Sequence, residues 1–174
     1  MIKLKLKYED GKAITATIPS NWNEVTVRQF EDLGFSTLPK DIDPIKAISI
    51  LAQIPFDDLT VIEGDLRPIL AVSSLLENAP DLSIVKKEDY FKWEGKTYFI
   101  EDFNKMNMKE VIQFMQTMEE NYAIGKNIAK LIDPDDPELT DKILDSPFRP
   151  LYPAISFFLR KQVNLILFGN LNLN

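Results

Sequence analysis

The groups best equipped for chemistry in this 174-residue chain are its carboxylates, and the densest set is Asp133-Pro134-Asp135-Asp136-Pro137-Glu138, with four acids in six positions. Oxygen ligands at that density invite a calcium reading, which the spacing can test. An EF-hand loop places acidic or amide ligands at its first, third and fifth positions, glycine at the sixth and glutamate at the twelfth. Counted from Asp133, the fifth, sixth and twelfth positions are Pro137, Glu138 and Leu144. The pattern fails, and a solvated interhelical loop is the expectation. The pairs Asp57-Asp58, Glu119-Glu120 and Asp135-Asp136 are sequence neighbours, and adjacent residues do not share a helix face. Histidine and cysteine are absent, which removes the common zinc ligand sets, Cys or His nucleophiles and the Ser-His-Asp triad. Catalysis would have to rest on carboxylates, Lys, Tyr or Ser. No convergent set of these stands out, so the expectation is no catalytic, cofactor-binding or metal-binding residues.

Two other clusters carry possible binding chemistry. Tyr90, Phe91, Trp93, Tyr98 and Phe99 make the most aromatic stretch of the chain. Aromatic platforms for single-stranded nucleic acid need basic neighbours to track phosphates. Here Lys92 and Lys96 stand beside Glu88, Asp89, Glu94, Glu101 and Asp102, so core or cross-strand pairing is the expectation. Lys3, Lys5 and Lys7 alternate along the first strand and read as its solvated outer face, which also discourages edge-to-edge association. Twenty basic against 27 acidic residues give a net charge of -7, which argues against direct nucleic-acid binding or attachment to anionic membranes. The N-terminus alternates charge and hydrophobe instead of presenting an apolar run, so it reads as a strand and not a signal peptide. At 45% hydrophobic and 10% aromatic, the chain can build a core and is not a disordered tail.

The elements that must hold these groups announce themselves as one unit written twice. The first copy runs Asp10-Gly11-Lys12, the alternating Ile14 to Ile18, then Val25-Thr26-Val27-Arg28-Gln29-Phe30; the second runs Glu94-Gly95-Lys96, Tyr98-Phe99-Ile100, then Met106-Asn107-Met108-Lys109-Glu110-Val111. In each, an acidic-Gly-Lys turn leads through a strand to a helix start. Thr26 with Gln29, and Asn107 with Glu110, have capping-box spacing, while Val25 with Phe30 and Met106 with Val111 have that of the hydrophobic staple. Ile2, Leu4, Leu6 and Tyr8 share a face with Ile14, Ala16 and Ile18, which predicts a hairpin with one apolar side. Its expected covers are Trp22 and a helix from Val27 to about Leu33, closed by Gly34.

Asp43-Pro44 starts another helix with the stripe Ile45, Ile48, Leu51 and Ala52, ending near Pro55. Phe56 to Leu59 predicts a short helical turn. Asp65 is expected to cap a segment whose stripe is Leu66, Ile69, Leu70 and Leu76, with Pro68 early enough to be tolerated. From Met108 the stripe Val111, Phe114, Met115, Met118, Tyr122, Gly125, Ala129 and Ile132 predicts one long helix, or two with a kink near Gly125.

The last segment, from Ala154 to Phe168, is the most apolar, and Arg160-Lys161-Gln162 interrupts it too early for a membrane span. As one helix its hydrophobes cover more than one side. Phe157, Phe158, Leu165, Leu167 and Phe168 are therefore the expected protein-partner contacts, with Met115 and Met118 on the methionine-rich face as the next candidates. The fold class expected is α+β: two hairpin-plus-helix units, 1-80 and 81-174, with a mainly helical remainder, packed as one compact body.

Pro19-Ser20-Asn21-Trp22-Asn23-Glu24-Val25-Thr26-Val27-Arg28-Gln29-Phe30 resembles a pattern in small proteins of tailed bacteriophages, especially those of Bacteroides-type hosts. There a short N-terminal hairpin precedes Trp-Asp/Asn-Glu-Val/Ile-Thr and a helix. Trp93-Glu94-Gly95-Lys96-Thr97-Tyr98-Phe99-Ile100 leading to Met106 is similar to the same group, so the likeness spans about the first two-thirds of the chain. The resemblance implies a virion component or a head or tail assembly factor, located in the virion or the host cytoplasm. Its partners would be other phage structural proteins or further copies of itself. A phage adaptor that binds and regulates a host protein is the alternative reading, and an enzyme ranks third.

Overall fold

The computed structural model describes residues 1–8, 13–34, 42–60, 62–63, 67–79, 90–100, 123–133 and 135–158. The fold is α+β, with two antiparallel hairpins and a mainly helical remainder. The chain divides into two compact units, Met1–Pro80 and Asp81–Asn174.

In the first unit, strands β1 (Ile2–Tyr8) and β2 (Ala13–Ile18) pair antiparallel, with Ile2 opposite Ile18, Leu4 opposite Ala16 and Leu6 opposite Ile14. The strand period of two puts these residues on one face, where Leu4 and Ile18 are buried. Lys3, Lys5 and Lys7 fall on the other, opposite Thr17, Thr15 and Ala13. A two-residue strand, β3 (Ile62–Glu63), pairs with Lys7 and Tyr8, so the order is β2-β1-β3 and the lysine-bearing strand is central. This pairing was not legible in the residues, because two are too few to show a period.

Helix α1 (Val27–Asp32) starts where the capping box was expected. Thr26 Oγ1 accepts from Gln29 N at 3.2 Å, and Gln29 Oε1 accepts from Thr26 N at 3.0 Å. The staple positions Val25 and Phe30 are both fully buried. Gly34, at φ +71°, closes the helix by donating to Glu31 O. Helix α2 (Pro44–Ala52) has Asp43 as its cap, accepting from Ile45 N at 2.7 Å, with Pro44 in the first turn. It is followed by α3 (Phe56–Thr60) and α4 (Arg67–Glu77). Asp65 lies outside the described residues.

Helix α2 packs against β2, and α1 packs on α2. Trp22 donates from Nε1 to Leu75 O of α4 at 2.8 Å and is itself buried. Two expected helix stripes need correcting. The α2 stripe is Ala47, Ile48 and Leu51, and Ile45 is exposed, because it stands two residues, about 200°, from Ala47 on the helix wheel. In α4 the buried set is Val72, Leu75 and Leu76, whereas Leu70 is 67% exposed for the same reason: two residues separate it from Val72.

The second unit opens with β4 (Tyr90–Trp93) and β5 (Lys96–Phe99), joined by Glu94-Gly95. Both turn residues have positive φ, +48° and +75°, as a two-residue type I′ hairpin turn requires. Strand β4 packs on a 3₁₀ turn at Arg149–Leu151. Helix α5 (Ile124–Ile132) begins after Ala123, with Gly125 buried in its first turn, and packs against α6 (Leu139–Leu144). Ala123, at φ -72° and ψ 75°, is not helical, so a single helix from Met108 to Ile132 is excluded. The last described residues, 152–158, are helical, and this helix is α7. The helix start at Met106 to Val111, the stripe from Phe114 to Tyr122 and residues 159–174 lie outside the described residues.

Gln29 carries more than its cap. Its Nε2 donates to Leu51 O at 2.8 Å, and the side chain is buried. Glutamate satisfies a capping box equally well, but a carboxylate here would face the Leu51 carbonyl with no proton to offer. Gln29→Glu is expected to cost roughly 2–4 kcal/mol at pH 7, through a lost hydrogen bond and an uncompensated buried charge. The new carboxyl would have a raised folded-state pKa, so the deficit is present above that value and shrinks as falling pH protonates it. Urea midpoints at pH 7 and 4.5 test this, and a deficit equal at both would refute the donor role.

At Gly95 an added Cβ would meet nothing within 4 Å, so only the left-handed backbone resists substitution. Gly95→Ala should cost roughly 1–2 kcal/mol and Gly95→Asn less, read as urea midpoints.

Candidate functional site

The alternation of β4 and β5 gives the second hairpin two unlike faces. On one, Phe91 is buried and stacks on Tyr98 across the strands, with ring centroids 5.4 Å apart and 19° between planes. Trp93 lies on the same side and donates from Nε1 to Ser146 Oγ at 3.0 Å; that hydroxyl in turn donates to Lys142 O at 2.7 Å, in the last turn of α6. Indole nitrogen, serine and helix carbonyl form a chain that fixes the hairpin to the α6 end. On the opposite face Tyr90 and Phe99 are cross-strand partners, with centroids 6.4 Å apart and planes at 55°. Tyr90 is 42% exposed and Phe99 73% exposed, with exposed Lys92 and Thr97 as the next pair along. The expected cross-strand pairing is present, but only half of it is core. The signal for the other half was legible in Tyr90-Phe91-Lys92-Trp93, where aromatic residues occupy both parities of one strand.

Such a pair on a braced hairpin is chemically suited to contact another macromolecule. Tyrosine and phenylalanine offer large area with few rotors to freeze, and aromatic residues concentrate in the energetic centres of interfaces. Among the described residues, four further large hydrophobes are exposed in the first unit: Met1, Ile45, Phe56 and Leu70.

Of the seven partner-contact candidates, Phe157 and Phe158 lie in α7. Phe158 is 1% exposed, packed with Ala154 and Ile155 in the core of its unit, and offers no surface in this arrangement. Phe157 is half-buried and meets Phe158 edge-on, with centroids 5.3 Å apart. Met115, Met118, Leu165, Leu167 and Phe168 lie outside the described residues.

The acidic loop after α5 is occupied with turn-making. Asp133 Oδ1 accepts from Asp135 N at 3.0 Å and Asp136 Oδ1 from Glu138 N at 2.9 Å. Lys142 Nζ approaches Glu138 at 3.5 Å and Asp136 at 3.9 Å. These are Asx turns and exposed ion pairs, the usual work of such residues. Asp57 and Asp58 sit in the first turn of α3, where carboxylates complement the helix N-terminus. Among the described residues, no group of three or more acids could hold a metal ion, and no helix is long and apolar enough to cross a membrane. Glu119-Glu120 lies outside the described residues.

Glu24 is the carboxylate with the most unusual surroundings among these. It accepts from the Met1 ammonium at 2.6 Å, Ser20 N at 2.7 Å and Ser20 Oγ at 2.9 Å. The ammonium first, then the two serine donors, pull its pKa from 4.5 down to about 2. A carboxylate held ionised in this way clamps a turn and is poorly placed to trade protons near neutral pH.

No protein family, curated protein or solved structure matches this chain.

Because the folded-state pKa of Glu24 is depressed, its stabilising effect is complete above about pH 4.5 and fades as pH falls toward 2. The melting-temperature difference between the unaltered protein and Glu24→Gln should therefore be constant above pH 5.5 or so and vanish near pH 2. A difference independent of pH would refute the clamp.

Proposed function

We propose that this chain is a non-enzymatic component of a tailed-phage virion, or a head or tail assembly factor, that works through contacts with other phage structural proteins or with copies of itself. The observation that carries the protein-contact part of this reading is the exposed Tyr90–Phe99 pair, set on a hairpin whose other face is anchored through Phe91 and Trp93. Rigid anchoring lowers the conformational cost of binding. The described carboxylates support the non-enzymatic part, since Asp43, Asp133, Asp136 and Glu24 each serve a cap or a turn. The phage assignment rests on the resemblance of Pro19 to Phe30 and Trp93 to Ile100 to small tailed-phage proteins.

A second reading, an adaptor that covers a basic site on a host protein, is favoured by the net charge of -7. The two separate by where the protein is found. Mass spectrometry of purified particles is expected to detect it in stoichiometric amount, or else its deletion is expected to block assembly. Normal particles formed without it would overturn the assembly role and favour the adaptor.

The double change Tyr90→Ser and Phe99→Ser removes exposed rings, so melting should shift little while incorporation or partner capture falls about tenfold or more. Unchanged incorporation by a folded double variant would move the contact to another surface.

A further inference from the structure

The sheet of the first unit protects its two edges unequally. On one side, among the described residues, β3 pairs with β1 at Lys7 and Tyr8, and the rest of β1 bears Lys3 and Lys5. Charged residues, lysine above all, are the usual guard on a strand edge. On the other side β2, Ala13-Ile14-Thr15-Ala16-Thr17-Ile18, has no pairing partner except β1 among the described residues. It carries no charge and no proline along its whole length, and no bulge interrupts its register with β1. Six residues of alternating β-branched and small side chains, with one row of backbone N–H and C=O groups facing outward, form a template for strand addition.

We propose that this edge is a self-association site, where β2 of a second copy pairs antiparallel with β2 about a two-fold axis normal to the sheet. Parity limits the arrangement. The sheet buries one face, at Leu4 and Ile18, and exposes Ala13, Thr15 and Thr17 on the other. A continuous sheet must therefore set odd residues against odd ones, since a one-residue slip would put apolar side chains into water. Centring the axis on Thr15 satisfies this: Thr15 opposes its own copy, Ala13 opposes Thr17 and Ile14 opposes Ala16. The same strand on both sides is what an isologous two-fold contact requires. Charge permits a second copy: although the chain carries a net charge of -7, β2 has no charged residue, so two copies set no acid against acid along the new pairing. The resulting sheet has the order β3-β1-β2-β2-β1-β3. The inference rests on the sheet edge alone and does not depend on the assembly role.

Sedimentation of the full chain as a function of concentration tests it. Mass is expected to rise toward twice the chain mass, and a monomer at every concentration up to about 1 mM would overturn the proposal. Thr15→Glu is the informative variant. Within the chain it sets an acid opposite Lys5, its register partner, which favours the hairpin, but in the dimer it sets acid against acid. It should melt no lower than the unaltered protein and dimerise at least tenfold more weakly; undiminished dimerisation would overturn the proposal. The register has its own test, made clean by the absence of native cysteine. Thr15→Cys should form a disulfide-linked dimer on mild oxidation, because opposed Cα atoms at about 5 Å lie within disulfide range. Thr17→Cys should not, since two copies of that position stand roughly 13 Å apart along the strands. Equal cross-linking by both, or none by Thr15→Cys, would overturn the two-fold centred on Thr15.

Discussion

The first unit depends on one buried amide. Gln29 accepts from Thr26 N and donates to Leu51 O, so a single side chain begins α1 and receives the end of α2. Helix α2 is also the one that packs on β2 and on α4, so its position decides whether the apolar face of the sheet is covered. Leu51 O belongs to the last turn of α2, where carbonyls lack intrahelical partners. An amide supplies acceptor and donor together, and no apolar side chain or ionised carboxylate of that length does both. Trp22 makes a comparable tie to Leu75 O at the C-terminal part of α4. Two helix ends are thus held by side chains from the short segment Trp22 to Gln29, with its indole and its amide both spent inside the unit.

Local chemistry was legible in the residues. The capping box at Thr26, the Asp43-Pro44 start, the Gly34 stop and the turn at Glu94-Gly95 follow from contacts within four positions of the chain, where the backbone leaves few options. What resisted reading was the choice of face. The apolar residues of α2 and α4 are spread widely enough to fit more than one stripe, and neighbouring elements decide which stripe is buried. Ile45 and Leu70 lost that competition to Ala47 and Val72. Long-range partners were equally hidden: nothing near Trp93 in sequence points to Ser146, 53 residues away. The candidate site was half legible, because aromatic pairing across the hairpin could be read from alternation while the exposure of one pair depends on what packs beneath the other.

The two hairpins share an acidic-Gly-Lys turn sequence and differ in how their strands are finished. In the first, one strand parity is apolar and the other holds lysine, threonine and alanine, so a single covered face satisfies it. In the second, both parities of β4 carry aromatic residues, and one buried face cannot absorb them. A two-stranded hairpin is marginal without support; this one gains it from Phe91, Trp93 and the 3₁₀ turn beneath β4. Stability therefore explains one set of aromatic side chains and leaves Tyr90 and Phe99 without a role in packing below.

That division bears on any test of the proposed contact, because a residue's worth to the fold and its worth to a partner would be separable here. Truncating Phe91 would remove a buried ring and open a cavity costing several kcal/mol, so lost function in such a variant would say nothing about binding. Phe99, 73% exposed, has little folding energy to lose. Lys92 and Thr97 share its face, which makes the outer side of the hairpin amphipathic, with apolar area at one end and a cation beside it. Interfaces that form and release combine an aromatic centre with a polar rim, and this face has both within four residues of β-sheet. A contact built there would use the rigidity supplied by the Trp93–Ser146–Lys142 chain without disturbing it, since the indole and the exposed rings lie on opposite sides of the same two strands.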